Sequence, residues 1–370
     1  MIRLLIVTLL TGFSIQFSFA DEVRYLVRSP RALLLGDAFT AIADDEYTLF
    51  YNPAALGFNK GIGVTLTNLD SSFPNLLKPT YVKKLTASLG TDLSAISSNY
   101  MGLPLNTHLG LTPTAKMSNW AISFFINHTT NFNLRNAVHP IWGIDLIYDR
   151  GMVLGGAFDF TLFGEKNAFG VSLKSMNRRG FSGNFYLLGP TLATKLLGSG
   201  AKDLDSIRQG LGDSSSKTAY GIDLGWMFKK DYGTSKLSLG ASIMDVFDTQ
   251  FTRYEGGRDL PDQEMLVNAG LAWTYSSSFI DYTFSFDVHP INETLAFMRR
   301  VHIGLNIGIP LIDVMFGWNA GYISYGATIN ALIGKFTVGL YGIETGTSYG
   351  QLEASRMVAY WSLIDFKYGN

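Results

Sequence analysis

Residues that could carry out chemistry are few and scattered in this 370-residue chain. It contains no cysteine, which excludes zinc–thiolate sites, iron–sulfur clusters and disulfide frameworks. Its five histidines show no HExxH spacing, and the sequence supports no serine–histidine pairing of a hydrolase. The histidines are His108, His128, His139, His289 and His302. We therefore predict no enzyme activity, no metal site and no cofactor.

One acidic run, Asp44-Asp45-Glu46, offers the carboxylate oxygens that calcium prefers. The same run also ends an apolar stretch, and we favour this role as a helix stop. The formal net charge is −1, so the chain lacks the basic excess of a nucleic-acid-binding protein. We predict no nucleic-acid partner.

The first twenty residues have the features of a secretory signal peptide. Arg3 precedes an apolar stretch, and Ser18-Phe19-Ala20 supplies the small residues of a cleavage site. An anchoring helix is the alternative, since about 17–25 apolar residues can span a bilayer, but polar residues interrupt this stretch. We predict that residues 1–20 are removed on export.

Alternation of apolar and polar residues dominates the rest of the chain and predicts strands. Between Val301 and Ile309 every second residue is apolar, and the intervening residues are His302 and small polar residues or glycines. Only 16% of the residues are charged, so the polar face lacks the Lys and Glu of a water-facing sheet. This pattern is typical of a transmembrane barrel with apolar side chains towards lipid and polar side chains towards the lumen.

We predict an all-β fold: a single closed antiparallel transmembrane β-barrel of about 14 strands, formed by residues 59–370. Leu111–Lys116 is left out because Pro113 does not suit a central strand. The first and last strands should pair, since an open edge in lipid is costly. The predicted strands are 61–70, 119–130, 138–149, 152–163, 167–177, 217–229, 235–247, 264–276, 279–289, 298–309, 311–319, 321–333, 335–345 and 353–368.

Connection lengths predict the orientation of the barrel. The long connections 71–118, 178–216 and 248–263 follow odd-numbered strands, whereas most tight turns follow even-numbered ones. Outer-membrane barrels have long external loops and short periplasmic turns. The long loops are therefore expected outside the cell. By strand parity, six polar residues should face the lumen: Asp145, Asp159, Asp223, Asp281, Asp287 and His302.

Residues 21–58 lack the alternation of apolar and polar residues that is typical of a strand. We predict that they form a separate N-terminal plug. Pro30 suits a helix start, and an apolar helical stretch follows as far as the acidic run. An Asn52-Pro53 turn lies downstream. A helix this short needs packing to be stable, so we place it in the barrel lumen.

This plug sequence resembles the N-terminal hatch of the FadL-like outer-membrane superfamily, which includes long-chain fatty acid and hydrocarbon transporters and the PorV-type and TraF-like barrels. The superfamily pattern is a Gly-x-Ala-x-x-Ala-x-Ala-Asp-Asp run followed by an Asn-Pro-Ala turn. The matching residues are Gly36, Ala38, Ala41, Ala43, Asp44, Asp45, Asn52, Pro53 and Ala54. Phe39, Phe50 and Tyr51 either line a hydrophobic ligand pocket or pack the plug.

The resemblance implies passive uptake of hydrophobic small molecules, such as long-chain fatty acids, across the outer membrane of a Gram-negative-type bacterium. The alternative is a non-transporting barrel that docks or assembles exported proteins, with a secreted or surface protein as partner. Both imply contact with outer-membrane lipids. The aromatic last strand, Tyr360–Tyr368, suits recognition by the outer-membrane assembly machinery. A deep apolar pocket beside the plug would favour transport, and an apolar patch on the external loops would favour docking.

Overall fold

A single antiparallel sheet closes on itself to form a barrel. The computed structural model describes residues 22–86, 101–135, 140–186, 204–331 and 334–368. Strand β1 (Ile62–Pro74) pairs with β17 (Glu353–Tyr368) over almost its whole length, so the described sheet is closed. The predicted pairing of the first and last strands is confirmed. The predicted signal peptide lies outside the described residues.

The remaining strands follow one another around the barrel. In the first half they are β2 Leu105–Leu111, β3 Thr114–Met117, β4 Trp120–Arg135, β5 Ile141–Leu162, β6 Glu165–Tyr186, β7 Ser214–Ser216 and β8 Ala219–Asp231. In the second half they are β9 Ser235–Met244, β10 Arg253–Gly256, β11 Leu266–Ser276, β12 Asp281–Val288, β13 Val301–Ile309, β14 Ile312–Asn319, β15 Tyr322–Ala331 and β16 Gly334–Glu344.

These segments form fourteen barrel strands. Both β2 and β3 lie between β1 and β4 and make one interrupted strand. The short β7 and β10 pair with each other above the barrel wall, where β7 also contacts the end of β6. The predicted number of strands is confirmed, although two of the predicted strand assignments are wrong and their errors cancel.

The first error is the exclusion of Leu111–Lys116. Pro113 does interrupt the ladder, but the side chain of Asn68 on β1 replaces the missing backbone partner. Asn68 Nδ2 donates to the Thr112 carbonyl oxygen at 2.6 Å, and Asn68 Oδ1 accepts from the Thr112 amide at 2.9 Å. A buried side chain thus makes a proline tolerable inside a central strand.

The second error is the break predicted at residues 150–151. β5 runs without interruption through this point and has 22 residues, so 138–149 and 152–163 belong to one strand. Asp149, which lies just before the predicted break, is neutralised inside the wall, because Arg178 on β6 donates to both of its carboxylate oxygens at 2.7 and 2.9 Å. The ion pair joins β5 to β6 at the point where the break was predicted.

All the long connections lie at one end of the barrel, together with the short turn 320–321, whereas every connection at the other end is short. After the corrections, the connections at one end are 75–104, 136–140, 187–218, 245–265, 289–300, 320–321 and 345–352. At the other end they are 118–119, 163–164, 232–234, 277–280, 310–311 and 332–333. We call these the loop end and the turn end. The rule for outer-membrane barrels predicts that the loop end is external.

Side chains alternate across the wall as predicted. On β13, His302, Gly304 and Asn306 are buried, and Leu305 between them is partly exposed on the outside. Phe284 on β12 is 42% exposed, whereas its neighbour Ser285 is buried. The outer surface thus carries an apolar band of the kind that lipid covers.

Helices are few and short in the described residues: α1 Pro30–Leu34, α2 Pro79–Thr86 and α3 Leu204–Leu211, besides the 3-10 turns Thr48–Phe50, Pro53–Gly57 and Phe297–Arg299. Among them, no helix has the length and apolar character needed to cross a membrane. Helix α1 starts at Pro30 as predicted, with Ser29 as its N-cap. It ends at Leu34 rather than at the acidic run, because Gly36 and Asp37 both adopt left-handed backbone angles.

Residues 22–58 lie inside the barrel and form most of the central hydrophobic core with inward side chains of the wall. We call this segment the plug. A second, smaller core lies towards the loop end. It joins Leu134, Ile144, Phe181, Phe185 and Leu211, so α3 packs on the extended ends of β4, β5 and β6.

Candidate functional site

Glycines on the inner wall allow the plug backbone to approach the strands closely. A Cβ atom built on any of eight wall glycines would lie within 2.7 Å of a plug atom, a distance that real Cβ contacts do not reach. They are Gly155, Gly170, Gly225, Gly240, Gly304, Gly317, Gly326 and Gly339. The wall therefore has a complementary surface for the plug, distributed over eight strands.

The plug turns sharply at Gly36, one of the motif residues. Gly36 has φ +65°, and a Cβ here would lie 2.5 Å from the Trp318 carbonyl oxygen and 2.6 Å from that of Ile303. Only glycine combines this backbone conformation with so close an approach. The turn therefore sits directly against β13 and β14.

Three wall residues hold this turn by its backbone. Asp287 Oδ2 accepts the Phe39 and Thr40 amides at 2.8 and 2.7 Å. His302 Nδ1 lies 2.9 Å from the Gly36 carbonyl oxygen, and His289 Nε2 lies 3.0 Å from that of Asp37. Parity placed Asp287 and His302 in the lumen, but their role as plug anchors was not predicted. Their plug partners lie about 250 residues away along the chain, and local patterning carries no signal for such a contact.

The Asn52-Pro53-Ala54 turn is the second anchor of the plug. Asn52 Oδ1 accepts the Ala54 amide at 3.1 Å, and its Nδ2 donates to the carbonyl oxygens of Thr40 and Trp226, each at 3.1 Å. Asn52 thus ties two parts of the plug to β8. The other small motif residues, Ala38, Ala41 and Ala43, are buried.

Two cavities lie on either side of the plug. The outer chamber, towards the loop end, has a volume of about 170 Å³ and is bordered by plug residues from Glu22 to Leu33. The inner chamber, towards the turn end, measures about 700 Å³ and is bordered by plug residues 29–31, 44–47 and 57–58 and by the adjoining residues 59–60. Pro30 borders both chambers, so the start of α1 separates them.

The outer chamber has an apolar side and a charged side. The apolar lining includes Leu26, Val27, Leu33, Ile144 and Ile147, to which Phe132, Tyr341 and Val358 add further surface. The charged lining includes Arg28, Arg135, Arg356, Glu22, Asp70 and Asp149. The chamber can therefore accept an apolar or amphipathic molecule, and it is not the purely apolar pocket that would by itself identify a lipid site.

Ion pairs fix the plug segment that forms the floor of this chamber. Glu22 accepts from Arg356 of β17 at 3.1 and 2.6 Å and from Arg28 at 3.1 Å. Arg28 also binds Asp37. Burial alone would raise the pKa of Asp37, but Arg28 and the two nearby histidines lower it to about 2. Asp37 therefore remains a carboxylate beneath the chamber.

The partition between the chambers depends on Ser29. Its hydroxyl donates to Asp45 Oδ2 at 2.7 Å, and its amide donates to the Tyr51 hydroxyl at 3.1 Å. Asp45 also accepts the Tyr47 amide at 2.9 Å, and Asp44 pairs with Arg31. The acidic run thus closes local turns and ion pairs. No group of three or more potential metal-ligating side chains occurs among the described residues.

The aromatic residues proposed for a ligand pocket are buried against other rings. Phe39 packs edge-on against Tyr51 with ring centres 5.1 Å apart, and Phe50 packs edge-on against Phe125 at 5.7 Å. None of the three borders either chamber. Phe50 and Tyr51 instead border a small cavity of about 20 Å³.

The other polar residues assigned to the lumen bind neighbours in or near the wall. Asp223 forms a buried ion pair with Lys174 at 2.6 Å, Asp159 pairs with Lys60 at 2.8 Å, and Asp145 accepts from Ser182. Asp281 is exposed at the start of β12. The structure does not bring these carboxylates together into one site.

No family model matches the chain, and no curated protein matches it. Solved structures with a similar fold include a TodX monoaromatic hydrocarbon channel carrying the deltaS2 mutation, at 10% identity and a TM-score of 0.48, covering 92% of this chain and 99% of that one. The CymD monoaromatic hydrocarbon channel gives 10% identity, a TM-score of 0.46, and coverages of 94% and 100%. The Pseudomonas putida toluene transporter TodX gives 11% identity and a TM-score of 0.42, with 93% of this chain and 98% of that one covered.

These likenesses concern the fold alone: a closed antiparallel barrel of fourteen strands whose N-terminal segment lies in the lumen.

Proposed function

We propose that the protein is an outer-membrane channel for passive uptake of hydrophobic small molecules, with long-chain fatty acids as the first substrates to test. The observation that carries the proposal is the division of one lumen into two chambers by a thin part of the plug, Ser29-Pro30. An outer chamber with an apolar side and a charged side suits a molecule that has an apolar body and a polar end.

In the proposed mechanism, the molecule enters from the loop end and lays its apolar part against Leu26, Val27 and Ile147. Passage to the inner chamber requires the segment from Glu22 to Pro30 to move, which breaks the Ser29 hydrogen bonds to Asp45 and Tyr51. The wall and the glycine-supported part of the plug stay in place. Flux follows the concentration gradient across the outer membrane of a Gram-negative-type bacterium.

Deleting the plug tests whether it is the gate. We expect a variant lacking residues 23–58 to keep a folded barrel, because the strand ladder and the lipid-facing surface do not include those residues. It should conduct small ions in planar bilayers and lose selective uptake of a labelled long-chain fatty acid into liposomes. A folded deletion variant that conducts no better than wild type would show that the plug is not the gate.

Filling the outer chamber tests the route. Ile147→Trp places an indole ring in the chamber, whereas Leu154→Trp on the same strand places the ring on the lipid-facing side. We expect Ile147→Trp to slow fatty-acid uptake and Leu154→Trp to leave it unchanged, with equal folded yield. Equal uptake by both variants would exclude the outer chamber as the path.

Docking of an exported or surface protein is the second candidate function. The observation that favours it is a set of exposed apolar side chains on loop-end connections, among them Leu77 at 68%, Tyr254 at 73% and Phe297 at 64% exposure. Docking would be favoured over transport by two results together. The wild-type protein takes up no fatty acid, and a surface protein that co-purifies with it is lost when these three residues are changed to Ser.

A further inference from the structure

His302 on β13 contacts the plug through a ring whose two nitrogens both face acceptors. Nδ1 lies 2.9 Å from the Gly36 carbonyl oxygen, and Nε2 lies 3.0 Å from the His289 carbonyl oxygen. A carbonyl oxygen can only accept. A neutral imidazole has one N–H and one lone pair, whereas an imidazolium has two N–H donors. Only the protonated ring can therefore make both hydrogen bonds.

The neighbouring His289 is satisfied as a neutral ring. Its Nε2 lies 3.0 Å from the Asp37 carbonyl oxygen, and its Nδ1 lies 2.8 Å from the Tyr25 hydroxyl, which can donate to it. The two imidazoles are stacked face to face, with ring centres 3.8 Å apart and planes 3° apart. Two positive charges at that separation would repel each other. The geometry therefore favours one proton for the pair, and only His302 needs it.

The charged groups that lie around His302 are carboxylates, and a nearby negative charge favours a protonated ring. Asp287 on β12 is directly opposite His302 in the strand register, and its Oδ1 accepts no hydrogen bond from the described residues. From the plug, the Asp37 carboxylate is balanced by Arg28 and accepts from the Tyr51 hydroxyl at 3.2 Å. On the β14 side the register partner is Asn319, which is uncharged. The carboxylate that acts on His302 is therefore Asp37, which His302 shares with Arg28.

We propose that His302 is a proton-dependent latch for the plug. Protonated, it holds the Gly36 carbonyl and the His289 carbonyl at once. After losing a proton it can hold only one of them, and even a retained bond to Gly36 is weaker because its donor is no longer charged. Acid therefore strengthens, and higher pH weakens, the contact between the plug and β13. The latch concerns how the plug is held, whatever molecule the barrel transports.

Ring nitrogen spectra test the protonation step directly. Protein with ¹⁵N-labelled histidine rings is reconstituted in lipid nanodiscs and titrated from about pH 5 to pH 8, the range in which histidines usually change charge. We expect one ring with protons on both nitrogens at the acid end, which loses one of them on titration. Its signals should be absent from His302→Gln. If the signals lost in His302→Gln come from a ring that carries a single proton throughout, the proposal is overturned.

Amide hydrogen exchange tests the consequence for the plug. A hydrogen bond from a charged donor changes a local equilibrium by roughly tenfold or more. We expect the peptide containing Phe39 and Thr40 to exchange about tenfold more slowly in wild type than in His302→Gln at acid pH, and the ratio to shrink as the pH rises. His128→Gln, on β4 with its ring near Thr130, should follow wild type. A ratio that does not change with pH would overturn the latch, and neither measurement depends on transport.

Discussion

Replacing Gly36 by alanine is the most direct test of how the plug is seated. The residue would keep a left-handed backbone conformation at φ +65°, which costs about 1–2 kcal/mol for an L-residue. Its Cβ would also meet the Trp318 and Ile303 carbonyl oxygens at 2.5 and 2.6 Å. These oxygens belong to the sheet ladder and cannot move aside easily, so overpacking adds about 1–3 kcal/mol. We expect the plug turn to be destabilised by about 2–5 kcal/mol.

Gly102→Ala is the matched control, because Gly102 has the same φ of +65° but no atom lies within 4 Å of the place that an alanine Cβ would occupy. Hydrogen exchange of the Phe39 and Thr40 amides should accelerate at least about thirtyfold in Gly36→Ala and stay at the wild-type rate in Gly102→Ala. Both variants should give the same folded yield in liposomes. Equal exchange in the two variants would refute the close approach of the plug to β13 and β14.

Three further outcomes are expected. Phe284→Arg on the lipid face should cost about 2–4 kcal/mol of folding free energy in liposomes if it lies at the bilayer midplane. Ser285→Arg, on the lumen face, should act by crowding instead. Equal folded yields of the two variants would contradict the assignment of the faces. Asn52→Ala removes the hydrogen bonds to Thr40 and Trp226 and should destabilise the plug by about 1–3 kcal/mol, measured by hydrogen exchange. Burial and the charge of Glu46 raise the pKa of Asp45 to about 7. Since the folded state then binds the proton more tightly, plug protection should be greatest below about pH 4 and fall as the pH rises to about 7. Asp45→Asn should flatten this dependence, and an unchanged slope would contradict it.

The barrel could be predicted from the sequence because its determinants are local. Alternation repeats in nearly every strand, and loop length follows parity, so both survive individual misassignments. At both strand errors, a side chain from a neighbouring strand bonds to the wall at the place where the prediction failed. Asn68 completes the ladder beside Pro113, and Arg178 neutralises Asp149. Neither partner can be recognised without the pairing register.

The site was less predictable, because the plug and its anchors come from opposite parts of the chain. The motif spacing drew attention to Gly36 and Asn52, whose turn geometry is local. The contacts that hold the Gly36 turn come from Asp287, His289 and His302, and a strand pattern says only which face a residue occupies. The two chambers likewise depend on where the plug backbone runs, which its short motifs do not specify.

Because its strands differ in length, the wall of the barrel is taller on one side than on the other. Strands β12, β13 and β14 have 8, 9 and 8 residues, whereas β5 and β6 have 22 each. At about 3.4 Å per residue and a tilt near 40°, eight residues rise only about 21 Å, less than an apolar band of about 25 Å. A bilayer meeting that side has to thin, or the barrel has to lean, to remove the hydrophobic mismatch. The lipids beside β12–β14 are therefore expected to be disordered relative to those beside β5 and β6, which makes the protein an asymmetric inclusion in its membrane.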